Sequence, residues 1–409
     1  MSSYPCTYSE AIKKKNTYWE NKPVKKLNEK EFPKNSKIEL LKKRKIYNSD
    51  TPIELKPLEW KTLDLNDDNE IIKVCNFLNK YYMIDQSKKF ILEYTKEYLL
   101  WSIKNELLYL SLNGEIIGTV SYSIMKLNIF DKTDKFGCVN YLCVLPKFRE
   151  KNIGEKQLVN VLIDEAIRRI VKYNDVQCGI FTTERFVPTP ISSIRYFFRP
   201  LNYKKLFEND FYSIPGDIEK IHDRFNENVK PSSYYFKANE ENIDKIFELY
   251  NEFMKKFSLS VKYSKEELKK LLFNPIIKCY VMKNKNNEIV DFVSFYQQNQ
   301  IIKDSDKKIK NSDLFLYSCL TEDITLLISN TIRLVKRDTD SDLFNVSDVM
   351  MNSEFLLSNK IRSIEDSDEN DYNKIYDYKF IKSDGKIHLN LFNWNCTDLY
   401  TNQISWFAV

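Results

Sequence analysis

A repetition within the chain constrains its fold more than any other feature. Ile71, Val74, Cys75, Leu78 and Tyr82 recur at helical spacing, and Ile243, Ile246, Phe247, Tyr250 and Met254 repeat the pattern. The register runs from 71 to 243, an offset of 172 positions that also brings Lys73 onto Lys245 and Asn79 onto Asn251. A hairpin follows each amphipathic helix. The first runs from Leu107 to Leu112, turns at Asn113-Gly114, and returns through Glu115-Ile116-Ile117 and Val120-Ser121-Tyr122; Asn-Gly is a strong two-residue hairpin signal. The second returns through Glu288-Ile289-Val290 and Val293-Ser294-Phe295. Helix and hairpin at nearly one offset predict a duplicated α+β unit.

The first copy continues with a strand from Phe136 to Val144, a loop from Leu145 to Gly154, a helix from Glu155 to Lys172 and a strand from Gln177 to Thr182. Leu158, Val161, Leu162, Ala166 and Ile170 form one apolar stripe on that helix. A strand, a basic loop and a helix N-terminus in succession offer free N–H groups and a favourable dipole to an anion, with Arg149 and Lys151 adding charge. A solvated basic loop is the plainer reading of the same residues.

The rest of the composition narrows the field. The 409 residues are 43% hydrophobic and 14% aromatic, enough for cores throughout two or three domains. Lys and Arg total 63 against 58 Asp and Glu, an excess too small to predict a nucleic-acid partner. The eight cysteines include no Cys-x-x-Cys pair and read as reduced core residues. Cys138 and Cys143, five apart in one strand, are expected on opposite faces, and no metal site is expected. Met1 through Lys15 holds no apolar leader core, and no stretch approaches the ~18 apolar residues of a membrane span. Of the two histidines, His388 sits in the alternating run from Ile387 to Phe392, where packing is expected over catalysis.

Asn140-Tyr141-Leu142-Cys143-Val144, followed by Lys147-Phe148-Arg149-x-Lys151, resembles the Asn-Phe-Leu-Cys-Val signature of the N-myristoyltransferases. Collinear matches continue at Tyr18-Trp19, Leu99-Leu100-Trp101, Phe181-Thr182, Pro188-x-Pro190, Arg195-Tyr196-x-x-Arg199, Asp291-Phe292-x-Ser294-Phe295-Tyr296 and Phe392-Asn393-Trp394-x-Cys396. A series in order along nearly the whole chain is far more specific than any one of its motifs. The resemblance implies an α+β fold of two GNAT-like units related by a pseudo-twofold axis. It divides the chain into a basic arm with a CoA-contacting segment (1–50), a myristoyl-CoA-binding unit (51–215) and a peptide-binding unit (216–409).

Carried over by position, the resemblance implies that Tyr18 and Trp19 flank CoA, that Tyr141, Leu142, Cys143 and Val144 line the thioester, and that Arg149, Lys151, Asn152 and Gly154 surround the phosphates. Tyr82, Asp85, Tyr196, Phe198, Asp384 and Gly385 become peptide-groove residues. The implied catalytic set is the backbone N–H groups of Tyr141 and Leu142 as oxyanion donors, Thr182 orienting the amine, and the terminal carboxylate of Val409 as general base. A thioester attacked by an amine develops charge on oxygen, so two aimed N–H groups lower the barrier; an α-amine with a pKa near ~8 needs a proton acceptor at neutral pH. Ser405 stands where the family has Gly, Phe198 replaces a histidine, and Met83-Ile84-Asp85 reduces an acidic stretch. The groove is therefore expected to reward basic peptide residues less and apolar ones more.

The expected function is transfer of a myristoyl group from myristoyl-CoA, a co-substrate, to the N-terminal glycine of peptides and nascent proteins, with no further cofactor. A cytoplasmic monomer, not membrane-spanning, is expected, and the Lys-rich N-terminus reads equally as a ribosome contact or a solvated arm. The alternatives are a non-catalytic acyl-CoA- or acyl-peptide-binding protein and a GNAT-type enzyme using a shorter acyl group.

Overall fold

The computed structural model describes residues 7–13, 17–27, 34–83, 89–149, 151–153, 156–225, 230–321, 323–356 and 380–407. In chain order the first half supplies β1 (Glu59–Thr62), α1 (Asp68–Tyr81), α2 (Lys96–Ser102), β2 (Glu106–Leu112), β3 (Glu115–Ile129), β4 (Lys132–Val144), α3 (Leu158–Asn174), β5 (Cys178–Thr183) and β6 (Ser192–Pro200). The second supplies β7 (Tyr235–Lys237), α4 (Ile243–Met254), β8 (Leu259–Val261), α5 (Lys265–Leu272), β9 (Ile277–Lys283), β10 (Ile289–Gln297), β11 (Asn311–Tyr317), α6 (Ile324–Asp338), β12 (Leu343–Ser347), β13 (Ile381–Phe392) and β14 (Ile404–Ser405).

The strands join one sheet in the order β7-β9-β10-β11-β12-β6-β13-β5-β4-β3-β8-β14, with β2 on β3 and β1 on β2. The repeat is visible in this order. Each half builds strand, helices, antiparallel meander, crossover helix and a parallel strand, β4 beside β5 in one and β11 beside β12 in the other. Each half then gives its last strand away, because β6 pairs antiparallel with β12 of the second half and β13 pairs antiparallel with β5 of the first. Since β6 and β13 also pair with each other, the two units share one continuous sheet. The α+β class with internal pseudo-twofold symmetry is the observed architecture.

Local chemistry explains the elements. Asp67 caps α1 by accepting from the Asn69 and Glu70 amides, and Ile71, Val74, Cys75, Phe77 and Leu78 turn inward. Tyr82, expected on this helix, is instead its extended C-terminal neighbour. Asn113 and Gly114 take positive φ (51° and 84°), as the expected β2–β3 turn requires. The Leu158, Val161, Leu162, Ala166 and Ile170 stripe of α3 is buried against β3 and β4. Gly137 permits that approach, since a Cβ there would lie 2.6 Å from Ile170 Cδ1.

Two expectations are corrected. The crossover helix starts at Leu158, because Asn152-Ile153 pairs with Lys156-Gln157 as a short hairpin that uses up the residues expected in its first turn. Cys138 and Cys143 share a face. A bulge between them makes Tyr141 and Leu142 oppose Val120 alone, so the alternation slips by one and the two cysteines pair with Ser123 and Thr119, which lie on one side of β3. The spacing of four residues along β3 still holds the thiols far apart.

Candidate functional site: a bulge opening on an aromatic cleft

The site is built where β4 and β5 part. Their parallel pairing runs from Phe136 opposite Cys178 to Cys138 opposite Ile180, although β4 continues to Val144 and β5 to Thr183. At this opening Tyr141 adopts φ 51°, a left-handed conformation that costs a non-glycine residue about 1 kcal/mol. The surroundings hold it there: the Thr119 hydroxyl donates to the Tyr141 carbonyl at 2.7 Å, the Tyr141 phenol is hydrogen-bonded to Ser102, and the ring is 4% exposed. Burial pushes the Tyr82 phenol up, and the Tyr141 backbone beside it partly offsets that rise. Two sequence-predicted residues on different elements therefore meet ring to ring.

From the bulge an aromatic wall runs toward the second half. Tyr141 contacts Tyr82 (ring centroids 6.0 Å) and Tyr94 (5.7 Å), Tyr94 contacts Tyr98 (5.9 Å), and Tyr98 contacts Tyr296 (6.1 Å). Trp101, Tyr296 and Phe315 close the far end, and Phe407 of the C-terminal tail packs on Phe315 at 5.8 Å. The tail arrives there because Ile404-Ser405 pairs in parallel with Leu259-Ser260 and Trp406 is buried. Ser405 Oγ bonds Met254 Sδ at 3.0 Å. Val409 lies outside the described residues, as do Asp85 and Gly154.

The other predicted groove residues gather on the opposite rim. Tyr196 on β6 faces a register shift in β13 that contains Asp384 and Gly385, both exposed. Phe198, two residues on, pairs with Ile381 and Asn345 and packs on Phe211 and Tyr212. Thr182 is half-buried on β5, paired with Leu389.

The predicted CoA residues split into two groups. Trp19 stacks on Phe181 of β5 (5.7 Å, 10° between planes), beside Thr182. Tyr18 is tied down: its hydroxyl donates to Asp164 at 3.0 Å, where Lys22 and Tyr47 converge as well. Burial and the Asp164 charge hold the Tyr18 phenol well above its ordinary pKa. Arg149 turns back on the backbone, donating to the carbonyls of Val144 (2.8 Å) and Tyr81 (2.7 Å), and so clamps the loop to the end of α1. Lys151 and Asn152 are exposed, and Gln157 at the N-cap of α3 makes no side-chain cap, which leaves the helix's first amides to solvent or a ligand. Cys143 and Val144 are buried and Leu142 is half-buried; burial pushes the Cys143 thiol up to about 12, so it is no nucleophile near neutrality.

Sequence reasoning missed Tyr94, Tyr98, Asp313 and Asn345. No periodic signal marks them, because they are brought together by strand pairing and by the packing of α2. The matched Asp291 has another duty: buried, it accepts from Ser318 Oγ, Leu320 N, Thr321 N and Thr321 Oγ1, fixing the turn into α6. His388 is buried, hydrogen-bonded through Nδ1 to Ser193 at 2.8 Å and edge-on to Phe186, as packing predicts. Among the described residues no group of three or more His, Cys, Asp or Glu is placed to hold a metal.

Residues 38–194 match the family model described as "Myristoyl-CoA:protein N-myristoyltransferase, N-terminal domain", and residues 230–405 match its C-terminal domain. A Plasmodium falciparum protein named glycylpeptide N-tetradecanoyltransferase is 28% identical over 95% of this chain and 92% of its own. A Kluyveromyces lactis protein of the same name is 27% identical over 68% of this chain and 64% of its own length, short of two thirds of that relative. A crystal structure of Saccharomyces cerevisiae N-myristoyltransferase with bound myristoyl-CoA superposes with a TM-score of 0.80 at 26% identity, over 94% of each chain. With both family domains matched in order over residues 38–194 and 230–405, the chain belongs to the myristoyl-CoA:protein N-myristoyltransferase family.

Proposed function

We infer that this chain is an acyltransferase that moves a tetradecanoyl group from myristoyl-CoA to the N-terminal glycine of a peptide. The observation that carries the chemistry is the bulge at Tyr141–Leu142, which interrupts the hydrogen-bond ladder where β4 and β5 part and where an aromatic cleft begins. In the proposed reaction the thioester oxygen is held by the Tyr141 and Leu142 N–H groups. The glycine amine attacks the thioester carbon, an N–C bond forms, and the C–S bond breaks. The amine's proton passes to the Val409 carboxylate, and the departing thiolate takes up a proton to leave as CoA.

The residues assigned to each ligand are those that the resemblance implies. Trp19 and Tyr18, with Cys143 and Val144, border the acyl-CoA. Arg149, Lys151, Asn152 and Gly154 are assigned to the phosphates, and the uncapped start of α3 that follows them in the chain, with its backbone N–H groups and dipole, supports that reading. Tyr82, Asp85, Tyr196, Phe198, Asp384 and Gly385 border the peptide, and Thr182 orients its amine. The myristoyl-CoA half is assigned to 51–215 with the arm 1–50, and the peptide half to 216–409. The base assignment is supported by the tail's course into the aromatic cleft, where Phe407 stands two residues before Val409.

Seven described cysteines are free and buried, which supports a reducing, cytoplasmic setting, and no described helix is long and apolar enough to cross a membrane. Action as a monomer on nascent chains, with the basic N-terminus toward the ribosome, completes the proposal. Incubation of the protein with myristoyl-CoA and a Gly-starting peptide should yield, by mass spectrometry, a peptide gaining one tetradecanoyl group at its N-terminus. Acyl-CoA binding without any product would favour the binding-protein reading, and product only from shorter acyl-CoAs would favour the other alternative.

A further inference from the structure

The N-terminal arm is fastened to the first half through one buried acid. Asp164, 4% exposed on α3, accepts through Oδ1 from the Tyr18 hydroxyl at 3.0 Å, from the Tyr47 hydroxyl at 3.2 Å and from the ammonium of Lys22, its ion-pair partner. Lys22 is withdrawn from water as well. Its ammonium donates to the Tyr47 hydroxyl at 2.6 Å and lies over the rings of Tyr18 (4.6 Å) and Tyr47 (5.2 Å). The next acid on the helix is held differently: Glu165 pairs with Arg168 and Arg169 of α3 itself, whereas the cation that meets Asp164 stands 142 positions away on the arm. Trp19 sits between the two anchored residues Tyr18 and Lys22, edge-on to Tyr18 at 5.0 Å and stacked on Phe181 of β5. Phe181 is the first residue of β5 beyond its pairing with β4, which ends at Ile180. Lys26 closes the segment into one turn by donating to the carbonyls of Trp19 (3.0 Å), Glu20 (2.9 Å) and Lys22 (2.8 Å), so Trp19 goes where Lys22 is held.

We propose that Asp164 is a positioning residue for acyl-CoA binding: through its ion pair with Lys22 it latches the arm onto α3 and holds Trp19 at the parting of β4 and β5, over the bound acyl-CoA. The inference rests on the acyl-transfer reading above. Two charges taken out of water together make an all-or-none fastening, because separating them while either stays buried strands a charge, whereas replacing both by neutral groups costs little. The arm is therefore either docked with the charges paired or released with both hydrated. Docked, it covers the acyl-CoA and slows its escape; released, it opens the parting for entry and for departure of CoA. The phenols serve the latch as fixed donors. Burial and the Asp164 charge hold the Tyr18 phenol well above its ordinary range, so it stays protonated and its hydroxyl is committed to Asp164, leaving its ring and Trp19 to face a ligand.

The test uses the full chain in four forms: unmodified, Asp164→Asn, Lys22→Gln and the double variant. Myristoyl-CoA affinity and dissociation rate, the KM for a Gly-starting peptide, the single-turnover transfer rate at saturating myristoyl-CoA, and amide hydrogen exchange over residues 17–26 are measured on each. Asp164→Asn keeps an acceptor for the phenols and strands Lys22, so myristoyl-CoA should bind about tenfold more weakly, through faster dissociation, while the saturated transfer rate and the peptide KM hold. Exchange over 17–26 should rise in the same variant. The double variant strands no charge and should recover affinity to within about threefold of the unmodified protein. A role confined to folding would lower the melting temperature and the active fraction without moving the affinity of the folded fraction. If Asp164→Asn does not fold, Lys22→Gln, altered only on the arm, should shift affinity in the same direction. Unchanged myristoyl-CoA affinity in the folded single variants, or a loss that the double variant does not recover, overturns the proposal while continued transfer keeps the parent reading. An unmodified protein that neither binds myristoyl-CoA nor acylates the peptide removes the parent reading and the latch with it.

Discussion

The two halves carry the same bulge and use it differently. In β4, Tyr141 and Leu142 oppose Val120; in β11, Phe315 and Leu316 oppose Ser294, every residue displaced by 174 positions. In the second half the Ser294 hydroxyl fills the interruption, donating to the Leu316 carbonyl at 2.7 Å and accepting from the Leu316 amide at 3.1 Å. In the first half the Val120 side chain offers no hydroxyl to accept from the Leu142 amide, and Tyr141 is held at positive φ, which Phe315 is not. One bulge is satisfied from within and serves packing, with Phe315 against Trp101, Tyr296 and Phe407. Its counterpart keeps a positive φ and no side-chain hydroxyl at the matching position, as the proposed oxyanion site requires. The difference teaches that duplication supplied the geometry twice, and that a single side chain at position 120 or 294 decides whether a hydroxyl fills the interruption.

The largest effect should come from removing the proposed proton acceptor, the Val409 carboxylate. Amidating the C-terminus by semisynthesis leaves every side chain in place, so the single-turnover transfer rate should fall a hundred- to ten-thousand-fold with myristoyl-CoA affinity little changed. Transfer at the unmodified rate would remove Val409 from the mechanism and turn attention to Asp384 or Glu184.

Transplanting the plug is the direct attack on the comparison. Val120→Ser should let a hydroxyl compete for the Leu142 amide and slow transfer roughly a hundredfold, the usual cost of one oxyanion donor. Thermal melting in parallel separates this from instability, because Val120 is fully buried. A folded Val120→Ser protein with an undiminished rate would mean that the Leu142 amide is not a donor.

The reverse change, Ser294→Ala, should act on stability and spare the chemical step. It leaves the buried Leu316 amide without its side-chain acceptor, at a cost of about 1–3 kcal/mol in denaturant unfolding. A loss of transfer rate beyond the loss of folded protein would give the second bulge a role it is denied here.

The smallest effect sharpens the cleft between the halves. Burial raises the Asp313 carboxyl to about 7 from an ordinary value near 3.8. An acid raised on folding binds its proton more tightly in the native state, so stability is fullest below the unfolded pKa and declines as pH rises toward 7. Asp313→Asn removes that decline, and its melting temperature should gain on the parent's by on the order of 2 °C between pH 5 and pH 8. Parallel curves would mean that the carboxyl is solvated in the free protein. Asp348, raised to about 6 by burial, contributes to both curves alike.

The amino-acid sequence by itself determined the repeat, the stripes of α1, α3 and α4, the Asn113-Gly114 turn and the motif that names the family. These are local properties: caps, turn dihedrals and apolar periodicity are set within a few residues of chain. Through the resemblance it also grouped Tyr82 with Tyr196, Asp384 and Gly385 as peptide-groove residues. Only the tertiary structure decided that β6 and β13 change sides, that one extra residue at the bulge puts Cys138 and Cys143 on the same face, and that Arg149 bonds to carbonyls. The same is true of Asp313, an unremarkable acid in the stretch from Asn311 to Tyr317 until three neighbouring strands place Tyr296, Asn345 and Phe198 beside it. Strand order, register and parity are fixed by pairings between residues up to about two hundred positions apart, such as Ser193 with His388, and no local pattern encodes which distant partner a strand will choose.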